Sequence, residues 1–133
     1  MISYEEALGK VLDNPLELGV EKVSLLESRG RVLAEDIIAD RDFPPFNRST
    51  KDGIALDFSS YEQGQRDFKI AGVLAAGMPQ QTLNDKKECL EIMTGAVLPA
   101  KADTIVMYED TDIENGIVKI LSQPRRGQNI HQK

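Results

Sequence analysis

Thr111-Asp112-Ile113-Glu114-Asn115-Gly116-Ile117-Val118-Lys119-Ile120 reads as two short alternating segments around Asn-Gly. Asn-Gly supplies two adjacent residues that tolerate positive φ, which the tightest β-hairpin turns require. The stretch therefore predicts an antiparallel hairpin. The chain before it repeats the pattern. Ile54-Ala55-Leu56, Phe68 to Leu74, Cys89 to Met93 and Thr104 to Met107 are short apolar or alternating runs. Each is bounded by turn-forming residues: Asp52-Gly53, Ala75-Ala76-Gly77-Met78-Pro79, Thr94-Gly95 and Pro99-Ala100-Lys101-Ala102-Asp103. These runs predict strands. The segments 57–66 and 80–87 are polar and read as loops, and Pro124-Arg125-Arg126-Gly127 reads as a last turn.

The N-terminal part differs. Ser3-Tyr4-Glu5-Glu6 has the spacing of a capping box, and Ala7, Leu8, Val11 and Leu12 follow at helical intervals. Asp13-Asn14-Pro15 ends the periodicity, so a helix is expected from about Tyr4 to Asp13. Glu21–Leu25 alternates and reads as a strand, and Arg31–Ala39, with Val32, Leu33, Ile37 and Ile38, reads as another, the two separated by a helical turn ending at Gly30. The stretch 16–39 is a possible small substructure of its own. The fold class expected is α+β and mainly β. It has one N-terminal helix, then short strands in a coiled or barrel-like sheet. The expected division is 1–45, the helix and an elongated linker, and 46–133, a β-rich domain.

Composition narrows the function classes. Sixteen Lys and Arg stand against 22 Asp and Glu, a net charge of −6. Such a chain is a poor match for nucleic acid phosphates or an anionic membrane surface. Trp is absent and aromatic residues make up 5%, which argues against a base-stacking platform. One cysteine, Cys89, and one histidine, His131, can form neither a disulfide nor a structural zinc site. No signal-peptide pattern opens the chain and no apolar run reaches membrane-spanning length, so the expected location is the cytoplasm.

Four polar segments could carry chemistry. Ser49-Thr50-Lys51-Asp52-Gly53 gathers hydroxyls, an ammonium and a carboxylate before a glycine. A carboxylate there could orient a substrate, and Lys51 could attract an oxyanion. The plainer reading is an Asp-Gly turn. In Ile92-Met93-Thr94-Gly95-Ala96-Val97-Leu98-Pro99, the small residues let backbone approach a ligand, and the Thr94 hydroxyl could donate to an oxyanion. The plainer reading is a strand exit. Tyr108-Glu109-Asp110-Thr111-Asp112 could bind a cation, but fits a solvated strand end better. Arg125-Arg126 could hold an anion bidentately, but fits a basic surface turn better.

Taken in order, these segments resemble the N-terminal region of the molybdopterin molybdenumtransferases. Ser3-Tyr4-Glu5-Glu6-Ala7 resembles that family's opening helix. Glu27-Ser28-Arg29-Gly30-Arg31-Val32-Leu33-Ala34-Glu35-Asp36 is similar to its second segment. Asp42-Phe43-Pro44-Pro45-Phe46 through Asp52-Gly53 resembles its F-D-N-S-A-M-D-G signature. Ile92-Met93-Thr94-Gly95-Ala96-Val97-Leu98-Pro99 with Ala102-Asp103-Thr104-Ile105-Val106 resembles T-G-A-x-x-P-x-G-A-D-x-V-V. Gly127-Gln128-Asn129-Ile130 resembles the start of G-x-N-I-R-x-x-G-E-D. The chain departs from these signatures at Asn47, Arg48, Thr50, Lys51, Lys101 and His131.

The resemblance implies insertion of molybdate into adenylylated molybdopterin, with release of AMP. It implies a homodimer in which this region caps the partner subunit's cleft. An α/β catalytic domain holding Mg2+ would lie beyond these residues. Asp52 and Thr94 match positions that face the cleft and would orient substrate and bind oxyanions, without nucleophilic attack. Ser49, Lys51, Gly53, Gly95 and Asn129 are the accompanying substrate-binding expectations. The alternative is a non-catalytic dimerisation or scaffold module, as in a gephyrin-like or degenerate paralogue. Tungstate in place of molybdate is a third reading.

Overall fold

The computed structural model describes all 133 residues, in two compact units, Met1–Ile38 and Ala39–Lys133. In the first unit, α1 spans Tyr4–Leu12. The Glu6 amide donates to Ser3 Oγ at 3.2 Å, one half of the expected capping box. The Glu6 carboxylate does not reach back. It lies 3.9 Å from Lys10 Nζ, one helical turn on. A 3-10 turn at Leu25–Glu27 follows, and Gly30 takes φ +80°.

The strands expected at Glu21–Leu25 and Arg31–Ala39 do not form. An alternating sequence becomes a strand only when a neighbouring strand takes its amides and one face is covered. Neither condition is met, and Val32 and Ile37 remain 94% and 81% exposed. No residue of this unit is buried.

The second unit is built on a six-stranded, curled half-barrel sheet. The strands are β2 (Gly53–Leu56), β3 (Asp67–Leu74), β4 (Glu88–Ile92), β5 (Thr104–Met107), β6 (Thr111–Glu114) and β7 (Ile117–Ile120). Their order is β5-β2-β4-β3-β7-β6. All neighbours are antiparallel except β3 and β4. A register shift between Ile70 and Val73 interrupts that parallel pair.

The 111–120 segment forms the expected hairpin, with Glu114 opposite Ile117 and Asn115 and Gly116 at φ +50° and +77°. A further pair, β1 (Arg48–Ser49) and β8 (Ile130–His131), forms a two-stranded antiparallel ribbon. These two strands are absent from the sequence reading, because two-residue strands have no periodicity to detect.

Alternation along the sheet gives it two buried faces. One holds Ala55, Leu74, Leu90, Ile92, Leu98 and Ile105. The other holds Ile54, Leu56, Phe68, Cys89, Val106 and Val118. The polar segment 57–66, expected as loop, contains a short helix, α2 (Phe58–Glu62). Asp57 Oδ1 caps it by accepting from the Ser59 amide at 2.9 Å. Packing of Phe58 and Tyr61 against the second face supplies the stability that five residues cannot supply alone.

Candidate functional site

The loop between β1 and β2 and the turn after β4 meet at one end of the sheet, because β2 and β4 are antiparallel neighbours with Gly53 opposite Ile92. Asp52 thus emerges beside Thr94. The Thr94 amide donates to Asp52 Oδ1 at 2.6 Å, and the Thr94 hydroxyl donates to the same oxygen at 2.9 Å. Both groups are exposed. The amide bond, reinforced by the hydroxyl, holds the Asp52 carboxyl below the usual carboxylate range.

The anionic state is therefore favoured in the folded chain. The clasp is fully present above the ordinary carboxylate pKa of about 3.9 and is lost as pH falls through the lower folded value. In an acid titration of the labelled chain, the Thr94 amide resonance should move with a midpoint below 3.9. A midpoint at or above that value would refute the clasp.

The loop is anchored on both sides. The Gly95 amide donates to the Ser49 carbonyl at 2.9 Å, and the Ser49 amide donates to the Ala96 carbonyl at 3.0 Å. Ser49 is buried, and its hydroxyl donates to the Lys51 carbonyl and accepts from the Lys51 amide, which closes a tight turn. On the other side the Thr50 amide and hydroxyl both donate to the Asn129 carbonyl, at 2.9 and 3.0 Å. Asn129 sits at φ +60°, and its Nδ2 donates to the Ile105 carbonyl at 3.0 Å.

All seven sequence-derived residues thus lie in one connected patch. Ser49, Lys51, Asp52 and Gly53 are on the central loop, Thr94 and Gly95 on one flank, and Asn129 on the other. The Lys51 ammonium has no carboxylate within 4.0 Å, and Gly53 is buried in the sheet.

The other two segments do structural work. Arg126 pairs with Glu62 of α2 at 2.8 Å and with Asp103, and its guanidinium lies over the Phe58 ring. It ties the final turn to α2 through Nη2 and to Asp103 through Nη1. In the acidic segment, the Tyr108 hydroxyl donates to Glu91 Oε2 at 2.8 Å. Burial and that carboxylate together raise the Tyr108 pKa. No group of three or more His, Cys, Asp or Glu side chains converges on a common point. No helix is long and apolar enough to cross a membrane.

A family model described as the MoeA N-terminal region (domain I and II) matches residues 2–133. The chain belongs to the MoeA N-terminal family. Similar proteins agree with that placement. The molybdopterin molybdenumtransferase of Synechocystis sp. is 50% identical over 135 residues, covering 100% of this chain and 35% of that protein. The enzyme of the same name from Haemophilus influenzae is 33% identical over 132 residues, covering 98% of this chain and 32% of that protein. Among solved structures, the molybdopterin biosynthesis moeA protein of Pyrococcus horikoshii OT3 superposes with a TM-score of 0.74 at 31% identity. It covers 99% of this chain and 36% of that one. The chain therefore spans about a third of the length of the MoeA relatives it matches.

Proposed function

We propose that the chain is the N-terminal region of an enzyme that inserts molybdate into adenylylated molybdopterin, forming molybdenum cofactor and releasing AMP. The observation that carries this reading is that the 49–52 loop brings Asp52 onto Thr94 at an exposed position and is held on its other flank by the Asn129 carbonyl, in a chain of the MoeA N-terminal family. Asp52 and Thr94 would face a cleft completed by a partner subunit. Asp52, anionic, would orient substrate through Oδ2, and the Thr94 hydroxyl, whose proton goes to Asp52 and not to an oxyanion, would accept from donor groups of the pterin nucleotide. Magnesium, on this reading, is held by the family's α/β domain. The exposed apolar side chains of Met1–Ile38, among them Leu16, Leu18, Leu26 and Val32, support an assembly that covers them.

The test is molybdenum cofactor formation by the full-length protein carrying Asp52→Ala or Thr94→Ala. A fall of about 10- to 100-fold is expected for misplaced substrate. Wild-type rates in both variants would reject the site.

A second reading has its own support. Asp52 spends one oxygen wholly on Thr94, which is what a structural clasp would do. In that case the region is a dimerisation or scaffold module. Calorimetry of the full-length protein with adenylylated molybdopterin separates the two, since binding contradicts a purely structural role.

A further inference from the structure

Arg48 stands out because it is half-buried and has no partner. No carboxylate lies within 4.0 Å of its guanidinium, and its side chain makes no hydrogen bond within the chain. The backbone that carries it is fixed on both sides. Arg48 is the antiparallel partner of His131 in β8 and also bridges to Val97. The Leu98 amide donates to the Asn47 carbonyl at 2.8 Å, and the Thr50 and Ser49 amides are bonded as described above.

Direct antiparallel partners put their side chains on the same face, with Cβ atoms about 5 Å apart. Ser49 and Ile130 take the opposite face, Ser49 buried and Ile130 against the core. Arg48 and His131 are therefore aimed together, away from the core. Lys51 lies in the tight turn that follows β1, also without an ion-pair partner. Asp42 pairs with Lys133 Nζ at 3.3 Å, and Asp52 gives one of its two oxygens, Oδ1, to Thr94.

Two basic side chains set opposite each other oppose folding when both are charged. Arg48 is half-buried as a residue and its guanidinium has no acceptor within the chain. A chain of net charge −6 nonetheless concentrates unpaired donors at this point. Local departures of that kind mark places where a ligand completes the structure. The ligand that fits is a tetrahedral oxyanion. Two of its oxygens can accept the parallel N–H pair of Arg48, and a third can accept from the His131 ring or the Lys51 ammonium.

We infer that Arg48, His131 and Lys51 form a binding site for a tetrahedral oxyanion, either a phosphate group or molybdate. It deepens the proposed function by adding an anion subsite beside Asp52, and it rests on that reading only for what the anion belongs to. The sequence shows Arg48 and His131 only as departures from family signatures 83 positions apart, since 131 − 48 = 83. The β1–β8 register makes them neighbours.

The experiment is a titration of the isotope-labelled chain with sodium phosphate and, separately, sodium molybdate at constant ionic strength, followed through backbone amide shifts. Saturable shifts confined to residues 48–51 and 130–131 are expected. Arg48→Gln should weaken binding by about 10-fold or more, as loss of a bidentate contact does. Arg125→Gln, on another turn, should leave it unchanged. Saturation by phosphate alone identifies a phosphate-ester site, and saturation by molybdate alone a metal-oxyanion site. Either supports the inference.

The absence of saturable shifts with both anions overturns it, and so does undiminished binding by a natively folded Arg48→Gln. Should Arg48→Gln not fold, His131→Gln and Lys51→Gln carry the test, each expected to weaken binding about 3-fold. No change in both overturns it equally. The readout needs no catalysis, so failure of the insertion assay with Asp52 or Thr94 variants leaves this result standing by itself.

Discussion

Gly53→Ala is expected to unfold most of the second unit. Gly53 opens β2, the strand between β5 and β4, opposite Met107 on one side and Ile92 on the other. A Cβ built there would stand 2.8 Å from the Val106 carbonyl carbon and 2.9 Å from the Met107 Cα, and closer still to the Val106 oxygen. All three are backbone atoms in a paired strand, so no side chain can rotate away. The relief available is to push β5 off β2, which breaks a ladder running from Gly53–Met107 to Leu56–Thr104. A cost of at least about 3 kcal/mol is expected, as for severe overpacking. Domains of this size hold only about 5–15 kcal/mol.

Urea denaturation, followed by circular dichroism, measures it. Gly116→Ala serves as the control, because no atom lies within 4 Å of its Cβ position and only its φ of +77° opposes the change. That variant should lose about 1 kcal/mol. A Gly53→Ala midpoint equal to that of Gly116→Ala would show that β2 can shift, and would refute the close-approach argument.

Phe68→Ala is the second large effect. Phe68 is 1% exposed and belongs to the cluster with Ile54, Leu56, Tyr61, Cys89, Val106, Val118 and Ile120. Its strand, β3, joins the β5-β2-β4 half of the sheet to the β7-β6 hairpin. Truncation removes buried apolar area and leaves a cavity that the paired strands cannot close, costing about 3–5 kcal/mol. The urea midpoint should fall with little change in slope, and Phe68→Leu should recover more than half of the loss. A loss below about 1 kcal/mol would mean that this face of the sheet is loosely packed. The same face contains Cys89, whose thiol is pushed up to about 12, first by burial and then by Glu91 and Glu88.

Strong local signals were readable in the residues alone. The helix at Tyr4–Leu12 has a cap and a proline stop, and the 111–120 hairpin has Asn-Gly. Strands β2 to β5 are apolar runs between turn residues, buried on one or both faces. Weaker local signals misled. The alternation at Glu21–Leu25 and the apolar pairs of Arg31–Ala39 are real features of the sequence, yet they produce no strand because no neighbouring strand pairs with them. The helix at Phe58–Glu62 is too short to show a period and exists through its Asp57 cap and the packing of Phe58 and Tyr61.

The site divides along the same line. Sequence by itself determined which loops are polar, where backbone must turn, and that their order resembles one family. Only the tertiary structure decided that Asp52 clasps Thr94, that Thr50 reaches Asn129, and that Arg126 is spent on Glu62 and Asp103. It alone set Arg48 against His131. The reason is physical. Caps, turns and periodicity act over a few residues and are written locally. A hydrogen bond between residues 42 or 79 positions apart depends on strand order and register. Those follow from how the two apolar faces of the sheet are buried together.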